Sequence, residues 1–471
     1  MLDYKKLELK SGLEIHQQLD TGKLFCRCPS YLRKDEPHFT IRRKLHAVPG
    51  ETGEVDVAAQ YEASLKKEFI YESYNDTNCL IELDEEPPKE INQESLKVAL
   101  QIALLLNCEI YPVVQIMRKM VIDGSNTSGF QRTMYIGHNG FIETSFGKVE
   151  IETVALEEDS ARLVSEKKEK QPIFRLDRLG IPLVEISTAP NMNTQDQIKE
   201  AALKLGEILR ACKVKRGIGT IRQDVNVSIK KYEKVEIKGF QDARIMIETV
   251  DEEIKRQIEN VAKGKIKGEV RNALPDGKTE FLRPLPGKAR MYPETDLPLL
   301  KISRDKINEI KKVLPKLKAD IKLELKKQGL TDELINLVLE NHETLDEFET
   351  LMKVYDKDAN LVAKMTTLWR TDKEKITERI LEEILEELVK KQIEKEDVKD
   401  IIKKIENGAS FNEAIKVEKV SHDELEEEIS KIVKEKPGLR PNAYMGLVMQ
   451  KMKGKLDAKK AMEIIEKIIK N

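Results

Sequence analysis

Two hydrophobic periods divide the chain. Up to about Pro298, apolar residues alternate with polar ones in short runs bounded by turn signals, the pattern of half-buried strands. Helical spacing interrupts this pattern from Leu96 to Leu106 and from Gln197 to Leu209. After Leu299 the strand signals vanish. Lys306 to Leu351 carries apolar residues at helical spacing, broken at Pro315, at Gly329 and around Asn341. From Thr371 onward Ile376, Ile380, Ile384 and Leu388 recur every four residues, and the pattern stops at Asn407-Gly408. Lys436-Pro437-Gly438 then leads into Arg440-Pro441-Asn442 and a closing helical pair. The expected fold class is α+β: a body with a mixed or antiparallel sheet over 1–300, a helical domain over 301–370 and an all-α tail over 371–471.

Several strands carry an apolar face opposite a face of chemically useful groups. In Thr220 to Ile229, period-two alternation puts Ile221, Val225, Val227 and Ile229 on one side and Arg222, Asp224, Asn226 and Ser228 on the other. Leu13 and Ile15 likewise oppose Glu14 and His16, and Val235 and Ile237 oppose Glu236 and Lys238. Two further segments add acid: Leu156-Glu157-Glu158-Asp159, and Glu185 in the strand-like run Pro182 to Ile186. A carboxylate in a buried strand must be paired or bind a metal. Carboxylates converging on one sheet face repel one another unless cations neutralise them, and hard oxygen donors suit Mg²⁺ or Mn²⁺ better than Zn²⁺. Such a site flanked by Arg222 and Lys238 is suited to phosphoryl transfer, which needs charge neutralisation and positioning. No Walker-type glycine-rich loop is present, so the sheet itself must hold a nucleotide.

Composition adds limits. The chain has 471 residues, 35% of them charged, and a net charge of -2. That length accommodates about three domains of ordinary size. The near-neutral balance excludes wholesale electrostatic binding of nucleic acid, so any RNA contact must be local. From Lys431 to Asn471 there are eleven Lys/Arg against four Asp/Glu, a basic tail on an acidic body. The N-terminal residues lack the apolar run of a signal peptide and no eighteen-residue apolar stretch occurs, so neither secretion nor a membrane is expected and the compartment is the cytoplasm. Five cysteines at irregular spacing argue against a disulfide framework. Cys26-x-Cys28 is half of a metal knuckle, but no second pair stands nearby, Cys79 is alone, and Cys108 and Cys212 sit in helical patterns; structural zinc is not expected. Asp123 to Thr133, with two glycines and no periodicity, reads as a loop.

Gly12-Leu13-Glu14-Ile15-His16, Glu157-Glu158-Asp159, Arg178 to Ile186, Asp224 to Ser228, Val235 to Lys238 and Arg290 to Pro298, in that order, resemble the aspartyl/glutamyl-tRNA amidotransferase B/E subunit family. Asn126 to Thr133 and Leu83-Asp84-Glu85-Glu86-Pro87-Pro88 look like its archaeal E branch. The tail, Met445 to Met449 followed by Lys451, Lys453, Gly454 and Lys455, is similar to the family's C-terminal tRNA-binding module.

The resemblance implies a cradle-like catalytic domain and a two-step reaction. ATP phosphorylates the γ-carboxylate of glutamyl-tRNA(Gln), and ammonia from an asparaginase-like glutaminase partner, the D subunit, displaces phosphate to leave glutaminyl-tRNA(Gln). A hetero-oligomer is implied. His16, Glu158 and Glu185 look like ligands of one Mg²⁺, and Glu14, Glu157 and Asp224 like ligands of a second. Arg222, Asn226, Ser228, Glu236 and Lys238 are the expected nucleotide-side contacts. Arg440, Lys451, Lys453 and Lys455 are the expected tRNA contacts. The E branch usually inserts an aspartyl-tRNA-synthetase-like domain, whereas here Glu259-Asn260 runs directly to Pro275-Asp276-Gly277. The alternatives are a bacterial-type B subunit that uses an amidase partner and also acts on aspartyl-tRNA(Asn), and a non-catalytic tRNA-binding scaffold.

Overall fold

The computed structural model describes residues 2–50, 53–165, 171–240, 243–287, 290–416, 422–451 and 458–470. The chain divides into two compact units, Met1–Leu317 and Lys318–Asn471.

The first unit is built on an eleven-stranded sheet. Its strands are β1 (Lys10–Gln18), β2 (Glu109–Ile110), β3 (Met117–Met120), β4 (Phe130–Thr144), β5 (Gly147–Glu158), β6 (Pro182–Thr188), β7 (Ile221–Ser228), β8 (Val235–Phe240), β9 (Glu269–Ala273), β10 (Thr279–Pro284) and β11 (Met291–Pro293). They lie side by side in the order β10-β9-β8-β7-β1-β6-β5-β4-β3-β11, with β2 alongside β4. The pairs are antiparallel except β8 and β9, which run parallel. A parallel pair needs a crossover, and the chain between β8 and β9 supplies it as a helix, Ala243–Ala262.

One face of the sheet is apolar. Leu13, Ile15, Val154, Leu156, Val184, Ile186, Val225 and Val227 are buried there together with residues of three helices, α1 (Gln93–Leu105), α2 (Gln195–Ala211) and α3 (Ala243–Ala262). Each such side chain contributes roughly 1.5–3 kcal/mol by leaving water. The helices begin where side chains satisfy free backbone N–H groups: Asn92 accepts from Glu94 and Ser95, and Thr194 accepts from Gln197. A period-two strand that buries one face leaves its alternate residues to the other, and those alternate residues carry the chemistry.

The segment Asp123 to Thr133 is a loop only as far as Gly129. Phe130 opens β4, so Gln131, Arg132 and Thr133 lie in a strand paired on both sides, by β3 and by β5. Neighbouring strands on both edges override the weak strand propensity of those polar residues. Gly124 is fixed by two constraints: its φ is +95°, and a Cβ there would stand 2.1 Å from the Phe69 ring. Phe69 belongs to a second, four-stranded sheet of Phe39–Arg43, Phe69–Ser73, Ile173–Arg175 and Arg162–Ser165.

Arg304–Lys312 is helical and packs on the first unit through Ile310. In the second unit, Lys318–Lys327, Asp332–Val338 and His342–Val354 are separated by the breaks read at Gly329 and Asn341, and Thr331 and Asn341 cap the helices that follow. One apolar cluster runs from Leu325 to Ala414. The expected boundary at 370/371 falls inside it, because Phe348, Leu351 and Val362 share that core with Ile376, Leu381, Ile384 and Leu385. A separate cluster of Leu425, Ile429, Ile432, Tyr444, Val448, Ile464 and Ile465 joins the helices His422–Glu435, Pro441–Lys451 and Ala458–Lys470. Among the described residues no helix is long and apolar enough to cross a membrane.

Candidate active site

Strand register gathers the site. Glu14 on β1 stands directly opposite Asp224 on β7, and His16 stands opposite Glu185 on β6. Glu157 on β5 is level with Leu183 on one side and Thr133 on the other. Glu236 on β8 faces Asn226 across the next pair. Glu14, His16, Glu157, Glu185, Asp224 and Glu236 all line a cleft of about 530 Å³, together with Lys119, Lys234, Arg283 and Arg290.

The donors form two groups. In the first, His16, Glu157 and Glu185 offer ligand atoms within 4.8 Å of one another. His16 Nε2 lies 3.2 Å from Glu185 Oε2, and the Lys119 ammonium sits between the acids, paired with Glu157 and 3.3 Å from Glu185. Thr133 Oγ1 donates to Glu157 at 2.6 Å and Gln131 Nε2 at 3.0 Å. In the second, Glu14, Asp224 and Glu236 meet the same distance limit. Lys238 Nζ lies 2.9 Å from Asp224 and also pairs with Glu236, while Asn226 Nδ2 donates to Glu14 at 2.9 Å. The backbone N–H of Gly239 donates to Asp224 at 3.2 Å from a residue with φ +97°.

Burial alone would raise these carboxyls, and the lysines decide which ones it raises. Desolvation is outweighed at Glu185, where the Lys119 charge and the His16 hydrogen bond hold the carboxyl well below the usual carboxylate range. At Asp224 and Glu236 burial is likewise outweighed, and the Lys238 charge lowers both carboxyls. Glu14 goes the other way: burial, then the charges of Glu236 and Glu185, push it up. Despite burial, the hydrogen bond and charge of Glu185 raise His16. Each group is therefore three ligand-competent side chains beside one lysine ammonium, that of buried Lys119 in the first and of half-buried Lys238 in the second. A divalent cation offers these donors the same neutralisation with more charge, and oxygen and imidazole donors of this kind fit Mg²⁺ or Mn²⁺.

Glu158 stands elsewhere. Consecutive strand residues point to opposite faces, so with Glu157 in the cleft Glu158 lies on the other side of the sheet. There it accepts from the Arg132 backbone N–H at 3.2 Å and pairs with its guanidinium at 3.3 Å. Arg132 in turn donates to Glu294 at 2.8 Å. Glu157 thus joins His16 and Glu185, and Glu236 takes the place beside Glu14 and Asp224. Arg222 lines the cleft, but its guanidinium donates to buried Asp159 at 3.0 Å. Ser228 ends β7 opposite Lys10 and is not among the cleft-lining residues. Of the expected tRNA contacts, Arg440 is exposed ahead of the helix Pro441–Lys451, Lys451 pairs with Glu428 at 2.6 Å, and Lys453 and Lys455 lie outside the described residues.

Sequence reasoning missed Lys119, Gln131 and Thr133. Lys119 sits in a four-residue strand, too short for alternation to register, and the other two lie in the segment read as a loop. The stiff run Arg290 to Pro298 has its reason in Glu294, which ties Arg118 and Arg132 together. Cys79 is not alone: the fold brings it to Cys26 and Cys28. Cys108 and Cys212 lie just past helix ends rather than within them.

The part of the chain that carries this cleft also matches known proteins. Residues 9–308 match the family described as the GatB/GatE catalytic domain. Over 512 aligned residues the chain is 38% identical to the E subunit of the glutamyl-tRNA(Gln) amidotransferase of Methanocaldococcus jannaschii, covering 79% of this chain and 81% of that one. The E subunit of Methanothermobacter thermautotrophicus is 35% identical over 496 residues, covering 77% and 80%. That of Archaeoglobus fulgidus is 51% identical over 261 residues, 55% of this chain and 42% of that one. An alignment of 512 positions that uses only 79% of 471 residues contains long stretches present in the relative and missing here, in keeping with the direct run from Asn260 to Pro275. A matched catalytic domain, and relatives aligned over most of both chains, establish that the chain belongs to the GatB/GatE family of amidotransferase subunits.

Proposed function

We propose that this chain is the ATP-dependent kinase and transamidase subunit that converts glutamyl-tRNA(Gln) to glutaminyl-tRNA(Gln), working with an asparaginase-like partner, the D subunit of the complex, that supplies ammonia. The observation that carries the reading is the pair of acid groups, one beside the buried Lys119 and one beside the half-buried Lys238, on one face of the sheet in the part matching the catalytic domain. A binding scaffold would have no use for two such triads of donors, each packed within 4.8 Å. His16, Glu157 and Glu185 would hold one Mg²⁺, and Glu14, Asp224 and Glu236 a second. When bound, such ions neutralise phosphate charge.

The remaining work falls to the chain. Lys234, Arg283 and Arg290 give the cleft wall the positive charge that a polyphosphate requires. Thr133 and Gln131 fix Glu157, and Asn226 fixes Glu14, so the donors are set before substrate arrives. In the first step an oxygen of the substrate γ-carboxylate attacks the γ-phosphorus of ATP and ADP leaves. In the second, ammonia attacks the activated carbonyl carbon, loses a proton, and phosphate leaves.

The test supplies purified chain with glutamyl-tRNA(Gln), ATP, Mg²⁺ and ammonium. Glutaminyl-tRNA and one phosphate per turnover are expected. ATP-independent conversion, or none from correctly folded chain, would sink the reading. The basic tail is proposed as a tRNA contact. Removing residues 417–471, which takes out the whole last helical cluster rather than cutting through it, is expected to weaken tRNA binding and flatten its salt dependence. An unchanged salt slope would remove the tail from the interface.

A further inference from the structure

Outside the cleft the fold closes one corner, where Cys26, Cys28 and Cys79 meet Glu82. Inside the cleft, the cations differ in what they already hold. Lys119 and Lys238 are occupied by the acids beside them. Arg222 is paired with none of those six acids, although it stands on β7 directly opposite His16 of β1. Its place also separates it from the other cations of the wall. Val235 pairs with Val227, so Lys234 is level with the far end of β7, and Arg283 lies two strands over at the level of Glu236.

Arg222 is held at one edge and open at the other. Asp159, 1% exposed, accepts from its Nη2 at 3.0 Å. That carboxylate is itself fixed: Gln18 Nε2 donates to it at 2.6 Å and the Ser160 backbone N–H at 2.8 Å, and the Arg178 guanidinium stands 3.7 Å away. Arg178 is taken up by the turn, its Nε donating to the Ser160 carbonyl at 2.7 Å and its Nη2 to the Ala161 carbonyl at 3.0 Å. Two guanidiniums thus share one buried carboxylate, which leaves this wall with surplus positive charge. Arg222 brings that charge to the cleft: its side chain is 37% exposed, and its remaining N–H groups have no partner among the described residues. A planar fork anchored at one edge is the form in which arginine receives a carboxylate.

We propose that Arg222, held in place by Asp159, binds the γ-carboxylate of the glutamyl group and thereby distinguishes substrate from product. The inference rests on the reaction proposed above. A polyphosphate calls for several cations, and Lys234 with Arg283 supplies them toward the other end of β7. The single fork beside His16 suits a carboxylate instead. Arg222 then belongs to the glutamyl side of the cleft rather than to the nucleotide-side contacts expected from the sequence. Amidation turns the bound anion into a neutral amide, which offers the guanidinium one uncharged oxygen and two N–H donors that it cannot accept. Losing the charge-assisted pair loosens the product by roughly tenfold to a hundredfold. Asp159 is a positioning residue: it sets the direction of Arg222.

The test compares the affinity of the full chain for one tRNA(Gln) in three states, glutamylated, glutaminylated and without amino acid, by filter binding in the absence of ATP. The parent should hold glutamyl-tRNA roughly tenfold tighter than glutaminyl-tRNA or more. Arg222→Gln should erase that preference and leave tRNA without amino acid bound as before. Arg222→Lys, which keeps the charge and loses the fork, should restore part of the preference, and Asp159→Asn should lower it less than Arg222→Gln does. In steady state, Arg222→Gln should raise KM for glutamyl-tRNA by roughly tenfold with KM for ATP unchanged. Circular dichroism and urea midpoints confirm that each variant is folded. A parent without preference, or an Arg222→Gln variant that keeps it, overturns the inference. So does a rise in KM for ATP alone, which would return Arg222 to the nucleotide. Failure of the reaction itself is read separately, as a parent that forms no glutaminyl-tRNA from ATP and ammonium, and the binding comparison does not depend on it.

Discussion

The cleft and the cysteine corner both draw donor atoms from segments far apart in the chain, yet they are built on different principles. The cleft stands on adjacent strands, where register alone sets His16 against Glu185 and Glu14 against Asp224. Its acids are paired with Lys119 and Lys238. The corner stands on loops, its thiols lie close together, and its one ammonium, Lys23, is locked to Thr77 behind Glu82. The difference is that between donors aligned by strand pairing and donors brought together by the closure of two loops.

The sharpest way to break this comparison is to exchange neighbours across the sheet. Glu157→Gln is expected to cut glutaminyl-tRNA formation by roughly 10³-fold with little change in stability. Glu158→Gln, on the opposite face, is expected to destabilise folding by about 3 kcal/mol by leaving Arg132 underpaired, with a much smaller effect on turnover. Single-turnover rates and urea unfolding separate the two. Equal losses of activity with unchanged stability would put both residues in the reaction.

A step smaller is Lys119→Met. Without the ammonium, Glu157 and Glu185 are left facing each other, and a loss of about 3 kcal/mol is expected in the absence of divalent ions. Millimolar Mg²⁺ or Mn²⁺ should restore most of it and raise the melting temperature of the variant more than that of the parent. An equal metal-induced shift in both proteins would mean that the cation does not occupy the place of the lysine.

The smallest effect is expected at Gly239→Ala. A side chain at φ +97° costs about 1–2 kcal/mol. The strain falls on the N–H that holds Asp224, so the Mg²⁺ concentration giving half-maximal rate should rise several-fold. A variant with parental metal dependence would show that this backbone contact does not position the acid.

How far each region could be read in the sequence follows from these construction rules. Alternation exposed Glu14, His16, Asp224, Glu236 and Lys238, because a strand with one buried face declares its other face. The breaks at Pro315, Gly329 and Asn341 were legible because proline, glycine and a capping asparagine act locally. Alternation is also the reason Glu157 and Glu158 cannot serve the same face, although a run of acids read as a motif hides it. Lys119 was not legible, since a four-residue strand has no period. Cys79 was not legible either, since nothing within fifty residues of Cys26 indicates that the turn after Phe69–Ser73 folds back to it. The boundary expected at 371 illustrates the same limit in the helical unit: a stripe such as Ile376, Leu381 and Ile384 shows that a helix needs a partner without showing which one.

The sequence by itself determined the α+β class, the family resemblance, the acidic strand faces and the helix breaks, all of which depend on residues close together in the chain. Only the tertiary structure decided which acids stand within ligand distance of one another, that Lys119 stands between two of them, that Glu158 belongs with Arg132, and that three cysteines meet Glu82. Those facts depend on strand register and loop closure, which are set by the burial of one apolar face against distant helices rather than by any local signal.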